Sequence, residues 1–458
     1  MKNSKSDDWR LRDRAVLWHP FTQHALWEGE DFPVIESGEG VYLFDLEGRK
    51  YLDGVSSLWL NVHGHRKPEI DAAIKDQLGR VAHSTFLGLS HRPGIRLAER
   101  LIEIAPPGLA RVFFSDDGST AMEIALKMAY QFWRQAEPDS PERTIFIRFT
   151  NAYHGDTIGS VSLGGIEAFH AAYRPLLFPA VSAPAPYCRR CPLKEAMREC
   201  TAGSGCLAEL DRLLSEHGER VAGVVIEPRV QGAAGMVIQP AGFIRRVREL
   251  CDQYHVLMIA DEVATGFGRT GYMFACDSEE TSPDLMAVGK GLSGGYLPIA
   301  ATLAREEIFE AFLGPRHHTR TFFHGHSYTA NPLAAAAANA SLELFEKEKT
   351  LDNVRARTVE AAAWLERLQG MAHVGETRAA GLMIGIELEE DPNSALPYDP
   401  DRMMGRKAVQ AARKRGLILR PLSDVVILMP PLCVSRDELA MMMKITREAI
   451  REATEGEG

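Results

Sequence analysis

The chain has 458 residues, room for one large domain and a smaller one with ample core. Apolar residues make up 45% and charged residues 25%, the balance of an ordinary globular protein. A net charge of −10 and a pI near 5.9 argue against a nucleic-acid or anionic-membrane partner, and no run approaches the ~18 consecutive apolar residues of a membrane span.

The opening segment, MKNSKSDDWRLRDRAV, lacks the apolar stretch of a secretory signal, so a cytoplasmic location is expected. VYLFDLEG (41–48) and KYLDGV (50–55) alternate apolar residues around Glu47-Gly48, which predicts a hairpin. From 66 to 345, helical patterns alternate with short apolar runs such as RVFFSD, TIFIRF, VAGVVIEP and VLMIADE. That alternation predicts a large α/β domain on a mainly parallel sheet with helices on both faces. FFSDDGSTAMEIALKMAYQFW (113–133) reads as strand, turn and amphipathic helix. Gly118, Ser119 and Thr120 fall at the helix N-terminus, where free N–H groups and the dipole suit a phosphate. Taken alone, Ser and Thr there are more often plain N-caps. Tyr153-His154-Gly155-Asp156 puts an aromatic ring at a strand end, where it either stacks on a planar cofactor or packs as an ordinary loop tyrosine.

Four of the seven cysteines cluster as C-x2-C-x8-C-x5-C: Cys188, Cys191, Cys200 and Cys206. In a reducing compartment this suggests a zinc or iron–sulfur site. The spacing matches no standard zinc pattern, and a surface insertion with ordinary thiols is the plainer reading. Residues 346–458 change character. A helix, LDNVRARTVEAAAWLERLQ, stops at Gly370, strands GLMIGIEL and VVILMP follow, and Ser435-Arg436-Asp437-Glu438 opens the last helix with a capping box. This segment is expected to join residues 1–65 in a smaller α/β domain. The active site is then expected at the carboxyl ends of the large-domain strands.

Two residues carry the sharpest chemistry. Asp261 closes the apolar run VLMIAD, where a carboxylate is costly to bury without a cation beside it. Lys290 stands between Gly289 and Gly291 and is the only lysine between Lys194 and Lys347. A lysine amine forms a Schiff base with the aldehyde of pyridoxal 5′-phosphate (PLP), and a carboxylate keeps the pyridine nitrogen protonated. Glu262, next in sequence, is an equally available carboxylate. A P-loop reading fails, since Gly291 rather than Ser or Thr follows Lys290.

FFSDDGSTAMEIALKMA, NAYHGDT, IEPRVQGAAGM, ADEVATGFGRTG, VGKGLSGGYLP and FFHGHSYTANPLA together resemble the class III (ω-amino) aminotransferases of fold type I. The resemblance implies a PLP-dependent transferase with a seven-stranded sheet in the large domain, working as a homodimer with shared active sites. WHPFTQ, DGVSSLWLNVHGH and RPLSDVVILMPP resemble the family's biotin-pathway branch, which converts 8-amino-7-oxononanoate to 7,8-diaminononanoate. Carried over by resemblance, Lys290 is the Schiff-base lysine and proton shuttle, and Asp261 the pyridinium partner. Val263 and Tyr153 flank the ring, while His154 and Glu227 stand near it. Gly118 and Ser119 donate to the phosphate, and His326 and Ser327 reach it from the neighbouring subunit. Arg420 binds the substrate carboxylate, and Phe21, Leu58, Trp59 and Gly325 line the substrate channel.

The adenosylmethionine-using branch has Tyr after His-Pro and a Trp-Trp pair after Ser-Ser, whereas this chain has Phe21 and Leu58-Trp59. Losing a phenol and an indole alters the wall that a sulfonium and an adenine would contact. The donor expected from the branch is adenosylmethionine; these two residues favour lysine. The alternatives are another ω-transaminase acting on diamines or ω-amino acids with a 2-oxo acid, and a metal-binding sensor with a vestigial PLP site.

Overall fold

Seven runs from the middle of the chain pair into one sheet: β1 (Leu109–Ser115), β2 (Ile145–Phe149), β3 (Val181–Ala183), β4 (Val221–Ile226), β5 (Leu257–Asp261), β6 (Leu285–Val288) and β7 (Ala300–Arg305). The computed structural model describes residues 5–138, 142–191, 193, 203–315 and 320–456. The strand order is β1-β7-β6-β5-β4-β2-β3. β7 is antiparallel to both neighbours, and the other four pairs are parallel.

Every residue of β4, β5 and β6 is buried, as expected for strands covered on both faces. Alternate residues serve opposite layers. Met286 and Val288 join the core under the helices Arg92–Ile104 and Pro332–Lys347, whereas Leu285 and Ala287 pack against the helix Gly118–Ala136. A third cluster seats the helices Ser204–His217 and Phe243–Gln253 on β2, β4 and β5.

The two ends of the chain meet. Tyr42–Asp45 and Lys50–Asp53 form the expected hairpin, and Leu417–Ile418 adds to its edge in parallel. Val374–Ala380, Met383–Leu388, Val425–Leu428 and Arg420–Leu422 form a second antiparallel sheet. The last helix, Arg436–Glu455, carries the capping box between Ser435 and Glu438. No helix among the described residues is long and apolar enough to cross a membrane.

Two features differ from the sequence reading. The run AATLAR forms β7, a buried antiparallel strand that its alanine-rich, non-alternating composition does not announce. Cys206 does not sit in a surface insertion: it is buried on the helix Ser204–His217, in the same core as Phe149 and Phe243.

Candidate active site

Parallel register brings the chemistry together at one edge of the sheet. Ala260 lies opposite Ile226, and Asp261 opposite Ala287, so Glu227 and the segment leading to Lys290 flank the end of β5. Asp116 to Ser119 follow β1, and Tyr153 to Gly155 follow β2. These residues line a cavity of about 480 Å3, with Val263, Ala264 and Trp59.

Asp261 and Glu262 separate cleanly. Consecutive strand residues point to opposite faces, and only Asp261 lines the cavity. One Asp261 carboxylate oxygen accepts the Val263 N–H at 3.0 Å, and the other lies 2.7 Å from His154 Nδ1. Glu262 faces away and accepts from the Thr265 hydroxyl at 2.6 Å and the Cys276 N–H at 2.8 Å. Burial, with no cation in contact among the described residues, pushes its carboxyl up to about 7. Glu227 accepts the N–H groups of Tyr153 at 3.1 Å and Gly232 at 3.0 Å. Burial pushes it up to about 7 as well, His154 opposing and Asp261 adding to the rise.

Lys290 follows the end of β6 and has φ +40°, a left-handed backbone that favours glycine. Its amine lies 5.7 Å from the centroid of the Trp59 ring. Desolvation lowers its pKa below the ordinary lysine value, against the pull of Asp261 and Glu227. A lowered pKa leaves more of the amine neutral and able to accept a proton.

The helix N-terminus is capped by Asp117, whose side chain accepts the Thr120 N–H at 2.9 Å. Gly118 and Ser119 therefore sit in the first turn, where helical N–H groups have no intrahelical acceptor. A Cβ on Gly118 would lie 2.4 Å from Val263 Cγ1, so only glycine lets the helix start and the β5 extension close up here. Ser119 Oγ accepts the Asp156 N–H at 3.2 Å. An anion-binding turn, a lysine amine and a buried carboxylate in one cavity are the donor set PLP needs, and the residues present fit it.

The substrate residues divide. Trp59 lines the cavity with Tyr153, whereas Phe21, Leu58, Gly325, Ser327 and Arg420 are outside its lining. Arg420 stands 5.6 Å from the Phe21 ring, and Phe169 links Phe21 at 5.6 Å to Tyr153 at 6.2 Å. Arg420 is partly buried, its guanidinium makes no hydrogen bond or ion pair among the described residues, and burial lowers its pKa. Leu58, Gly325 and Ser327 are exposed. His326 Nδ1 lies 3.0 Å from Asp116 of its own chain. Sequence reasoning missed Asp116 and the loop from Tyr296 to Ile299, which also line the cavity; the phrase GGYLP entered only as part of the family motif around Lys290, with no role given to its residues.

None of Cys188, Cys191 and Cys206 lines the cavity. Cys188 is exposed, Cys191 partly buried and Cys206 buried, while Cys200 is outside the described residues. Among the described residues no three His, Cys, Asp or Glu side chains form a group suited to a metal ion.

The profile of the aminotransferase class-III family matches residues 25–450. A protein from Nitratidesulfovibrio vulgaris called adenosylmethionine-8-amino-7-oxononanoate aminotransferase is 54% identical over 448 residues, 97% of this chain and 82% of that protein. A Geobacter sulfurreducens protein of the same name is 49% identical, covering 98% of both chains. The crystal structure of the Methanocaldococcus jannaschii protein so named superposes with a TM-score of 0.92 at 41% identity, over 98% of this chain and 99% of that one. A PLP-bound amine transaminase from an uncultivated Pseudomonas species superposes at 0.88 with 35% identity, over 95% of this chain and 98% of that one. This chain belongs to the class-III aminotransferase family.

Proposed function

We propose that the protein is a PLP-dependent transaminase that places an amino group on the ketone of 8-amino-7-oxononanoate, forming 7,8-diaminononanoate for biotin synthesis. The observation that carries it is the convergence of Lys290, Asp261 and the Gly118 helix start in one cavity, in a chain whose full-length relatives bear that substrate in their names. PLP, when bound, supplies an aldehyde that carries the amino group and a ring that accepts electrons. Asp261, oriented by His154, holds the negative charge that keeps a pyridine nitrogen protonated. Gly118 and Ser119 would hold its phosphate, and Val263 and Tyr153 would pack beside its ring. Lys290 anchors the cofactor and moves a proton at the substrate carbon, a role its lowered pKa supports. Arg420, a guanidinium without a carboxylate partner among the described residues, binds the substrate carboxylate.

Two donors follow from two observations. The relatives' names point to adenosylmethionine. Phe21, whose ring meets Phe169 and Arg420 and carries no phenol, together with Leu58, favours lysine. Purified enzyme with PLP and 8-amino-7-oxononanoate is offered each donor in turn, and 7,8-diaminononanoate is measured. Product from either donor is expected; product from neither, with transfer to pyruvate or 2-oxoglutarate instead, sinks this reading in favour of a general ω-transaminase.

We infer a homodimer that shares active sites, because large apolar side chains stand bare on the single chain: Trp18 and Leu87 are each 90% exposed and Phe323 is 79% exposed. The division into residues 66–345 and a smaller domain from 1–65 and 346–458 belongs to the same reading, as does a cytoplasmic location, which cell fractionation checks. Zinc or iron at the cysteine segment has no part in the proposed chemistry, and activity is expected to survive chelation.

A further inference from the structure

The cavity wall at Trp59 rests on a strained turn. Ser56, Ser57 and Trp59 have φ of +51°, +61° and +65°, and none is glycine. Such backbone persists only where its surroundings over-determine it. The restraint here is the carboxylate of Asp53, which is fully buried. It accepts the N–H of Val55 at 3.3 Å and that of Ser57 at 3.0 and 2.8 Å.

His65 completes the frame. Asn61 Oδ1 accepts the Gly64 N–H at 2.8 Å, which sets the orientation of its amide. The amide nitrogen then donates to His65 Nδ1 at 3.2 Å, leaving the ring hydrogen on Nε2, which donates to Asp53 at 3.0 Å. Around the turn, Ser56 Oγ donates to the Met429 carbonyl at 2.6 Å, and buried Arg269 donates to the Asn61 carbonyl at 2.8 Å. Neither Asp53 nor His65 lines the cavity. Of the groups assigned to the chemistry, Asp261 ends β5 and Lys290 follows β6, so neither belongs to this turn, and the Lys290 amine meets it only through the Trp59 ring at 5.7 Å.

We propose that Asp53, oriented by His65, is a specificity-determining positioning residue: it fixes the turn that holds Trp59 against the cavity, and so sets the preference for a long amino-ketone over short oxo acids. The proposal rests on the transaminase reading above. A loosened wall fits the acceptor chain poorly but leaves the proton-transfer groups in place, so its effect falls on KM and selectivity rather than on kcat.

The test compares wild type with Asp53→Asn, His65→Leu and His65→Gln, all loaded with PLP. Asparagine turns one acceptor oxygen into a donor facing N–H groups, and leucine removes the His65 donor, whereas glutamine can still donate to Asp53. Asp53→Asn and His65→Leu are expected to raise the acceptor KM roughly tenfold and shrink its preference over pyruvate. In both, kcat and the PLP absorbance band stay within about twofold, and His65→Gln stays close to wild type. Unchanged KM in folded Asp53→Asn overturns the proposal, and so does a loss of PLP binding and kcat in step with KM, which marks general structural support. If Asp53→Asn does not fold, the His65 pair decides by the same criteria. Should wild type refuse 8-amino-7-oxononanoate, the functional reading fails by itself, and the KM ratios are taken on the acceptor it does use.

Discussion

Adjacent carboxyl groups at the end of β5 have opposite fates, and the difference lies only in which face each meets. Asp261 meets the cavity and His154, whereas Glu262 meets a hydroxyl and an N–H, with no cation in contact among the described residues. The local sequence ADEV did not choose between them, because strand phase depends on which face the sheet turns to the cavity. Glu262 makes a pH prediction. Its folded pKa of about 7 lies above the ordinary 4.5, so its contribution to stability is complete below pH 4.5 and is lost as pH rises through 7. Glu262→Gln removes the charge, its amide oxygen accepting the Cys276 N–H and its amide N–H donating to the Thr265 hydroxyl in reverse, and is expected to be more stable than wild type at pH 8 by roughly 3 kcal/mol, but not at pH 4.5. Urea unfolding at the two pH values checks this, and equal effects at both would refute it. Glu227 contributes a second slope of the same sign, so the variant reduces the wild-type pH dependence without abolishing it.

The helix Gly118–Ala136 shows what an element's start can and cannot reveal. The phrase FFSDDGSTAMEIALKMA announced strand, turn and helix, and the structure has all three. It left open whether Ser119 was a cap or a ligand-binding group. Asp117 takes the capping role, which leaves Ser119 in the first turn beside the cavity. The helix start also depends on an element far away in sequence, since Val263 occupies the space a Gly118 side chain would need. Gly118→Ala is expected to weaken PLP binding about tenfold or more by pushing the turn off Val263, with Val263→Ala restoring part of the loss. Titration of the PLP absorbance band measures both. Alanine binding as tightly as glycine would mean the turn does not hold the phosphate.

For the whole molecule, the shared-site reading makes a prediction that no single chain can satisfy. Ser327 is exposed and outside its own chain's cavity. Lys290→Ala and Ser327→Asp are each expected to be inactive, the first by about 1000-fold or more from loss of anchor and proton carrier. Unfolded and refolded together, they are expected to recover roughly a quarter of wild-type activity, because a hybrid dimer has one site with both residues intact. No recovery in demonstrably mixed dimers would place Ser327 in its own chain's site.

The sequence by itself determined the alternation of strands and helices, the hairpin at 42–53, the capped last helix and the identity of Lys290 as the unusual lysine. Each of these depends on local periodicity or on residue type, which can be read in short windows. Tertiary structure decided which carboxylate meets the cavity, that AATLAR becomes an antiparallel strand next to the sheet edge, that Cys206 is a core residue, and that Asp116 and the loop from Tyr296 to Ile299 border the site. Those outcomes depend on register and on contacts between residues far apart in the chain, and neither leaves a mark in local composition. The frame of Asp53, Asn61 and His65 around a strained turn is the clearest case: its residues are close in sequence, yet the left-handed backbone they hold is also tied to Met429 and Arg269, residues far away in the chain.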